Sequence, residues 1–77
     1  MNKKDFLEYE GTVIRKLPDG YFKIELLEFP AKMLVAGVAN RLKSVDRRWR
    51  RIKEGDKVCV EIPLGDLTKG RIIKLLH

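Results

Sequence analysis

The stretch LPDGYFKIEL, residues 17–26, decides the reading of this chain. Within it Phe22, Ile24 and Leu26 alternate with Tyr21, Lys23 and Glu25, the period of two that sends successive side chains to opposite faces of a β-strand. Pro18-Asp19-Gly20, just ahead, is a type I or II turn signal, and Phe6 to Leu17 before that carries β-formers alternating around Thr12, Val13 and Ile14. Two strands and a tight turn therefore open the chain as a hairpin, the second strand running Tyr21 to Leu27.

Beyond that strand, Pro30 has no N–H to donate to a central ladder, so the chain turns there and restarts as a third strand over Lys32 to Val38. The alternation is lost from Ala39 to Val45, which predicts a short helix with Asn40 as its N-cap ahead of Arg41-Leu42-Lys43. Glu54-Gly55-Asp56 reads as a turn, after which Val58, Val60 and Ile62 alternate with Lys57, Cys59 and Glu61 in a fourth strand ended by Pro63. Gly65-Asp66 supplies a further turn, with the Asp66 side chain as its cap, and Gly70 to Leu76 forms the last strand. There the Ile72-Ile73 pair implies burial where a barrel closes. Five strands with a short helix between the third and fourth give an all-β fold in the order of an OB-fold barrel, which binds oligonucleotides on its strand two to three face and loops. A chain of 77 residues has room for one such domain, residues 1–77.

Net charge is +6, and its placement is more telling than its size. Between Arg41 and Lys53 stand seven positive residues (Arg41, Lys43, Arg47, Arg48, Arg50, Arg51 and Lys53) and one negative, Asp46, while the rest of the chain holds ten of each sign. The whole excess lies in that segment. Five of the seven are arginine, whose planar, weakly hydrated fork pairs bidentately with phosphate and stacks on bases. Trp49 sits inside Arg47-Arg48-Trp49-Arg50-Arg51, a pattern suited to single-stranded nucleic acid, where aromatic faces stack bases and cations follow the backbone. A tryptophan there is equally placed to anchor the end of the barrel, and the sequence leaves both roles open.

Other chemistry lacks its ingredients. One histidine, His77, stands last in the chain, so no Ser-His-Asp or Cys-His arrangement can be assembled, and no phosphate-cradling glycine loop is present. Catalysis is not expected, nor is a cofactor. The lone Cys59 allows neither an intramolecular disulfide nor a CxxC metal site and suits a reducing compartment. The apolar stretch Met33 to Ala39 is too short to cross a bilayer, and no signal-type segment follows Met1. A cytoplasmic monomer without membrane contact is the expectation.

Four pieces in order carry a resemblance: Glu10-Gly11-Thr12-Val13; Leu17-Pro18-Asp19-Gly20-Tyr21-Phe22-Lys23-Ile24-Glu25-Leu26; Ile52-Lys53-Glu54-Gly55-Asp56-Lys57-Val58; and Asp66-Leu67-Thr68-Lys69-Gly70-Arg71-Ile72. Together they resemble the bacterial translation initiation factor one family, an S1-like branch of the OB-fold, over most of the chain. The departures lie in the middle. Gly37 replaces a histidine and Asn40 a glycine in the family's Ala-His-Ile-Ser-Gly-Lys-Met-Arg run, Gly65 stands where the family has tyrosine, and the stretches Leu27 to Lys32 and Ser44 to Arg51 are longer than usual.

The resemblance implies a non-enzymatic factor that binds the small ribosomal subunit at the aminoacyl-tRNA site. It would contact the decoding region of the rRNA and cooperate with the initiator-tRNA-binding GTPase factor and the subunit anti-association factor. By position the family's rRNA contacts fall on Arg41, Lys43, Arg51, Lys69 and Arg71. Arg47, Arg48, Trp49 and Arg50, in the lengthened stretch, complete the expected RNA-binding set. The rival reading is a general single-strand binder or RNA chaperone of the cold-shock type, which uses aromatics exposed on strands two and three. Tyr21 is the one exposed candidate for that role.

Overall fold

In the computed structural model, which describes residues 6–65 and 68–76, the first strand, β1 (Phe6–Lys16), serves two partners. Its first half runs antiparallel to β4 (Lys57–Pro63), and its second half runs antiparallel to β2 (Phe22–Leu26). Gly11 belongs to both ladders, opposite Leu26 on one side and Val58 on the other. A Cβ added there would stand 2.5 Å from Ile24 Cγ2 and 3.1 Å from the Glu25 carbonyl oxygen, so only glycine lets the strand bend into the closing wall. A register irregularity between Val13 and Arg15 adds to that bend.

The remaining strands complete the ring. β3 (Met33–Val38) pairs antiparallel with β2, and β5 (Lys69–Leu75) pairs antiparallel with β4 and parallel with β3. The order β1-β2-β3-β5-β4 closes as a five-stranded barrel with the short helix α1 (Asn40–Val45) between β3 and β4, the OB-fold arrangement expected from the sequence. The alternation read from residues 21–27 and 57–62 points inward as expected: Phe22, Ile24, Leu26, Val58, Val60 and Ile62 are buried. Ile72 is fully buried and Ile73 half-buried at the β3–β5 closure. Each fully buried aliphatic side chain of this kind stabilises the barrel by about 1.5–3 kcal/mol.

The structure alters three local expectations. The first turn, Pro18–Gly20, is a 3₁₀ turn in which Asp19 (φ 64°, ψ 27°) and Gly20 (φ 80°) are both left-handed. Positive φ at two successive residues matches the right-handed twist of a hairpin better than type I or II geometry does, and Asp-Gly tolerates it. Asn40 is the first residue of α1 rather than its cap. Ala39 caps the helix from the backbone alone: its carbonyl accepts from Leu42 and Lys43 N–H at 3.0 and 3.2 Å, while its own N–H is held by the Ile72 carbonyl at 2.9 Å. Strand ends also shift by a residue, β5 beginning at Lys69 rather than Gly70 and β2 ending at Leu26 rather than Leu27. The expected Asp66 cap and the terminal His77 lie outside the described residues.

Candidate nucleic-acid interface

The basic segment is an ordered corner. α1 buries Leu42 at the barrel end, and Asp46 then joins the helix to a second 3₁₀ turn, Arg47–Arg51. The Asp46 N–H donates to the Leu42 carbonyl at 2.9 Å, closing the helix, while its carboxylate accepts from the Arg48 N–H at 3.0 Å, opening the turn. The same carboxylate takes the Arg48 side chain through Nε at 3.0 Å and Nη2 at 2.7 Å. These bonds, the guanidinium's first and the backbone's second, hold the Asp46 carboxyl below its ordinary pKa, and they push that of Arg48 up. The one acid of the segment is thereby committed to building the corner.

A 3₁₀ turn repeats every three residues, so Arg47 falls beside Arg50 and Arg48 beside Arg51, leaving Trp49 on a third side. That third side faces the barrel. Trp49 is half-buried and packs on the core, yet part of its ring remains open, with Lys43 Nζ 4.9 Å and the Arg50 guanidinium carbon 5.4 Å from its centroid. It borders a cleft of about 320 Å³ whose other walls include Lys16, Tyr21, Gly37, Lys43 and Arg50. Tyr21 is 49% exposed and its ring lies over Gly37: a Cβ at that glycine would be 3.3 Å from Tyr21 Cε1. A side chain at position 37 would crowd the tyrosine where it lies on β3. Arg48 and Arg51 look away from this cleft and line a second hollow with Lys53 and Lys57.

Arg41 and Arg71 form a third group. Arg41 Nη2 lies 2.7 Å from Glu61 Oε2 and Arg71 Nη2 3.7 Å from Glu61 Oε1, so α1 and β5 meet over one carboxylate of β4. The Arg71 guanidinium carbon also stands 5.7 Å from the centre of the Phe6 ring. Lys69, two residues away, is exposed and shares a shallow hollow with Phe6 and Arg71. Arg71 is the register partner of Gly37 on β3, so this group adjoins the Tyr21–Trp49 cleft across one strand.

The nine expected residues thus fall into three neighbouring groups rather than one patch: Lys43, Trp49 and Arg50 at the cleft; Arg47, Arg48 and Arg51 on the outer sides of the turn; Arg41, Lys69 and Arg71 around Glu61. Arg47 and Arg50 also share a hollow with Arg48 and Arg51, which links the first two groups. The expectation omitted Lys16, Lys57 and the cleft role of Tyr21. Tyr21 carried a signal, its solvent-side place directly after the first turn, whereas Lys16 and Lys57 enter only because the barrel closes. Cys59 is half-buried, and burial, followed by the nearby Glu8 carboxylate, pushes its thiol pKa up, away from the reactive thiolate.

Comparison with known proteins bears on this arrangement as a whole. No protein-family model matches the chain. Translation initiation factor IF-1 of Solibacter usitatus (strain Ellin6076) is 42% identical over 72 residues, which span 94% of this chain and 93% of that protein. The solution structure of translation initiation factor one from the Wolbachia endosymbiont strain TRS of Brugia malayi superposes with a TM-score of 0.68 at 33% identity, covering 97% of this chain and 83% of the other. Eukaryotic translation initiation factor 5A from Methanococcus jannaschii shares the barrel at a TM-score of 0.61 and 11% identity, over 92% of this chain and 44% of that one, a likeness of fold alone. With the five-stranded barrel, the inter-strand helix and identity running nearly end to end in a relative of equal extent, the chain belongs to the translation initiation factor IF-1 family.

Proposed function

We propose that this protein is a translation initiation factor that binds the small ribosomal subunit at the aminoacyl-tRNA site, through contacts with the decoding region of the rRNA. The observation that carries the reading is the basic corner itself. Its positive excess is held on a turn fixed at both ends, around an indole that is part core and part open, beside a cleft with a second aromatic ring. Phosphate contacts fall to Arg47, Arg50 and Arg51 and to Arg41, Lys69 and Arg71, while Lys43 and the open part of Trp49 serve the base that enters the cleft. Arg48, whose charge Asp46 neutralises one for one through Nε and Nη2, contributes mainly by shaping the turn. The factor works as a cytoplasmic monomer beside the initiator-tRNA-binding GTPase factor and the anti-association factor, and catalyses no reaction.

The general single-strand binder draws on one observation, that Tyr21 and Trp49 border the same cleft. Against it, the outward positions of β2 and β3 carry Lys23, Glu25, Met33 and Val35, which offer no further stacking platforms. Chemical footprinting of rRNA on small subunits, with and without the protein, separates the two. Protection confined to the decoding region supports the initiation-factor reading; scattered protection of unpaired rRNA overturns it in favour of the chaperone.

A further inference from the structure

An acid inside a surface that binds a polyanion weakens binding unless it does something else. Glu61 is such an acid. Its side chain is 12% exposed, covered by two arginines whose own side chains are 67% and 58% exposed. Arg41 reaches it from α1 through an Nη2 hydrogen bond of 2.7 Å to Oε2, and Arg71, from the register-paired position on β5, faces the other oxygen as an ion pair at 3.7 Å. A guanidinium has five N–H donors in a fixed fork, so one edge of each remains for an incoming anion. Between them lies a hollow of about 180 Å³, lined by Ala39, Asn40, Arg41, Glu61 and Arg71. The two strands beneath are close: a Cβ at Gly70 would be 3.0 Å from the Glu61 carbonyl oxygen. The Phe6 ring adds a cation–π contact to Arg71, at 5.7 Å from its guanidinium carbon.

We propose that Glu61 is a positioning residue for RNA binding. It holds the Arg41 and Arg71 guanidiniums side by side before the RNA arrives, so that the pair grips one short run of backbone phosphate. The proposal rests on the rRNA-binding reading above and deepens it. Its physical content is preorganisation: a long side chain that must be immobilised on binding costs about 2- to 10-fold in affinity, and the carboxylate lowers that cost for both arginines in advance. Glu8, the register partner of Glu61 on β1, is itself an acid and adds no positive charge beside it.

The test turns on a sign. Glu61→Gln deletes a negative charge and keeps the shape; by charge alone it should tighten binding to small subunits. Positioning predicts the reverse, a weakening of about 4- to 100-fold for two released arginines, with thermal melting showing the variant folded and Glu61→Asp retaining affinity near wild type. The same substitution is then made in an Arg41→Gln, Arg71→Gln background, where no guanidinium is left to position and the weakening should vanish. Tightened or unchanged binding by Glu61→Gln alone overturns the inference while leaving the rRNA reading in place. Weakening that persists without the two arginines also overturns it, by assigning Glu61 another role. Failure of the wild-type protein to bind small subunits removes both.

Discussion

Trp49→Ala separates the two roles that the geometry gives one side chain. An aromatic side chain buries about 150–250 Å² when fully enclosed. Trp49 is half-buried against the core, so about 100 Å² returns to water on truncation, which at roughly 25 cal/mol per Å² is about 2.5 kcal/mol. Removing the ring from beneath Lys43 and Arg50 adds about 0.5–1 kcal/mol for each cation at so exposed a site. The folding cost is therefore about 3.5–4.5 kcal/mol, inside the roughly 3–5 kcal/mol of a full core Trp→Ala. Against a total of about 0.05–0.15 kcal/mol per residue, that leaves the variant partly to largely folded. Denaturant unfolding followed by circular dichroism measures this cost. Affinity for small subunits, measured at a temperature where the variant is folded, should drop by roughly 1–3 kcal/mol for the missing base stack, and Trp49→Phe should restore most of it. Wild-type stability in the alanine variant refutes the packing half of the argument. Unchanged affinity in a demonstrably folded variant refutes the stacking half.

Three further outcomes follow from the same geometry. Replacing Arg47 and Arg50 by Gln should flatten the plot of log affinity against log salt by roughly 1.4, about 0.7 for each phosphate no longer neutralised, and adding Arg48→Gln should change the slope little because that guanidinium is bound to Asp46; three equal steps in a salt titration would contradict this division. The folded-state pKa of Asp46 lies below its unfolded value of about 3.9, so its support for the turn is full above that pH and is lost as pH falls through the lower folded value; Trp49 fluorescence should therefore report loosening below about pH 4 in the wild type, on top of an already loosened baseline in Asp46→Asn that lacks the transition. Gly11→Ala drives a methyl group against Ile24 and the β2 backbone and should cost about 1–3 kcal/mol in a thermal melt, whereas the same change at Gly20, where a Cβ meets nothing, should cost less and act through backbone strain alone.

What could be read before folding is what local periodicity carries. Phe22, Ile24 and Leu26 face inward because alternation along five residues settles the face of β2, whatever pairs with it. The basic corner was legible in the same way, as a charge count within thirteen residues. Its internal arrangement was not, because it depends on which groups each side chain finds. Asp46 reads as one acid diluting seven cations, yet its short side chain caps the next turn, closes on Arg48 and so leaves Trp49 facing the barrel. Neither the charge count nor hydropathy distinguishes an acid that opposes the partner from one that builds the surface. The Glu61 cluster is further from view. Arg41 and Glu61 meet at 2.7 Å only because α1 returns over β4, and Arg71 joins them only because β5 closes the barrel in that register. The strand pattern places Glu61 on the outer face and stops there. Whether such an acid is an idle surface charge or the element that sets the spacing of two arginines is a property of barrel closure, since the fold brings opposite charges from three separate elements to one point.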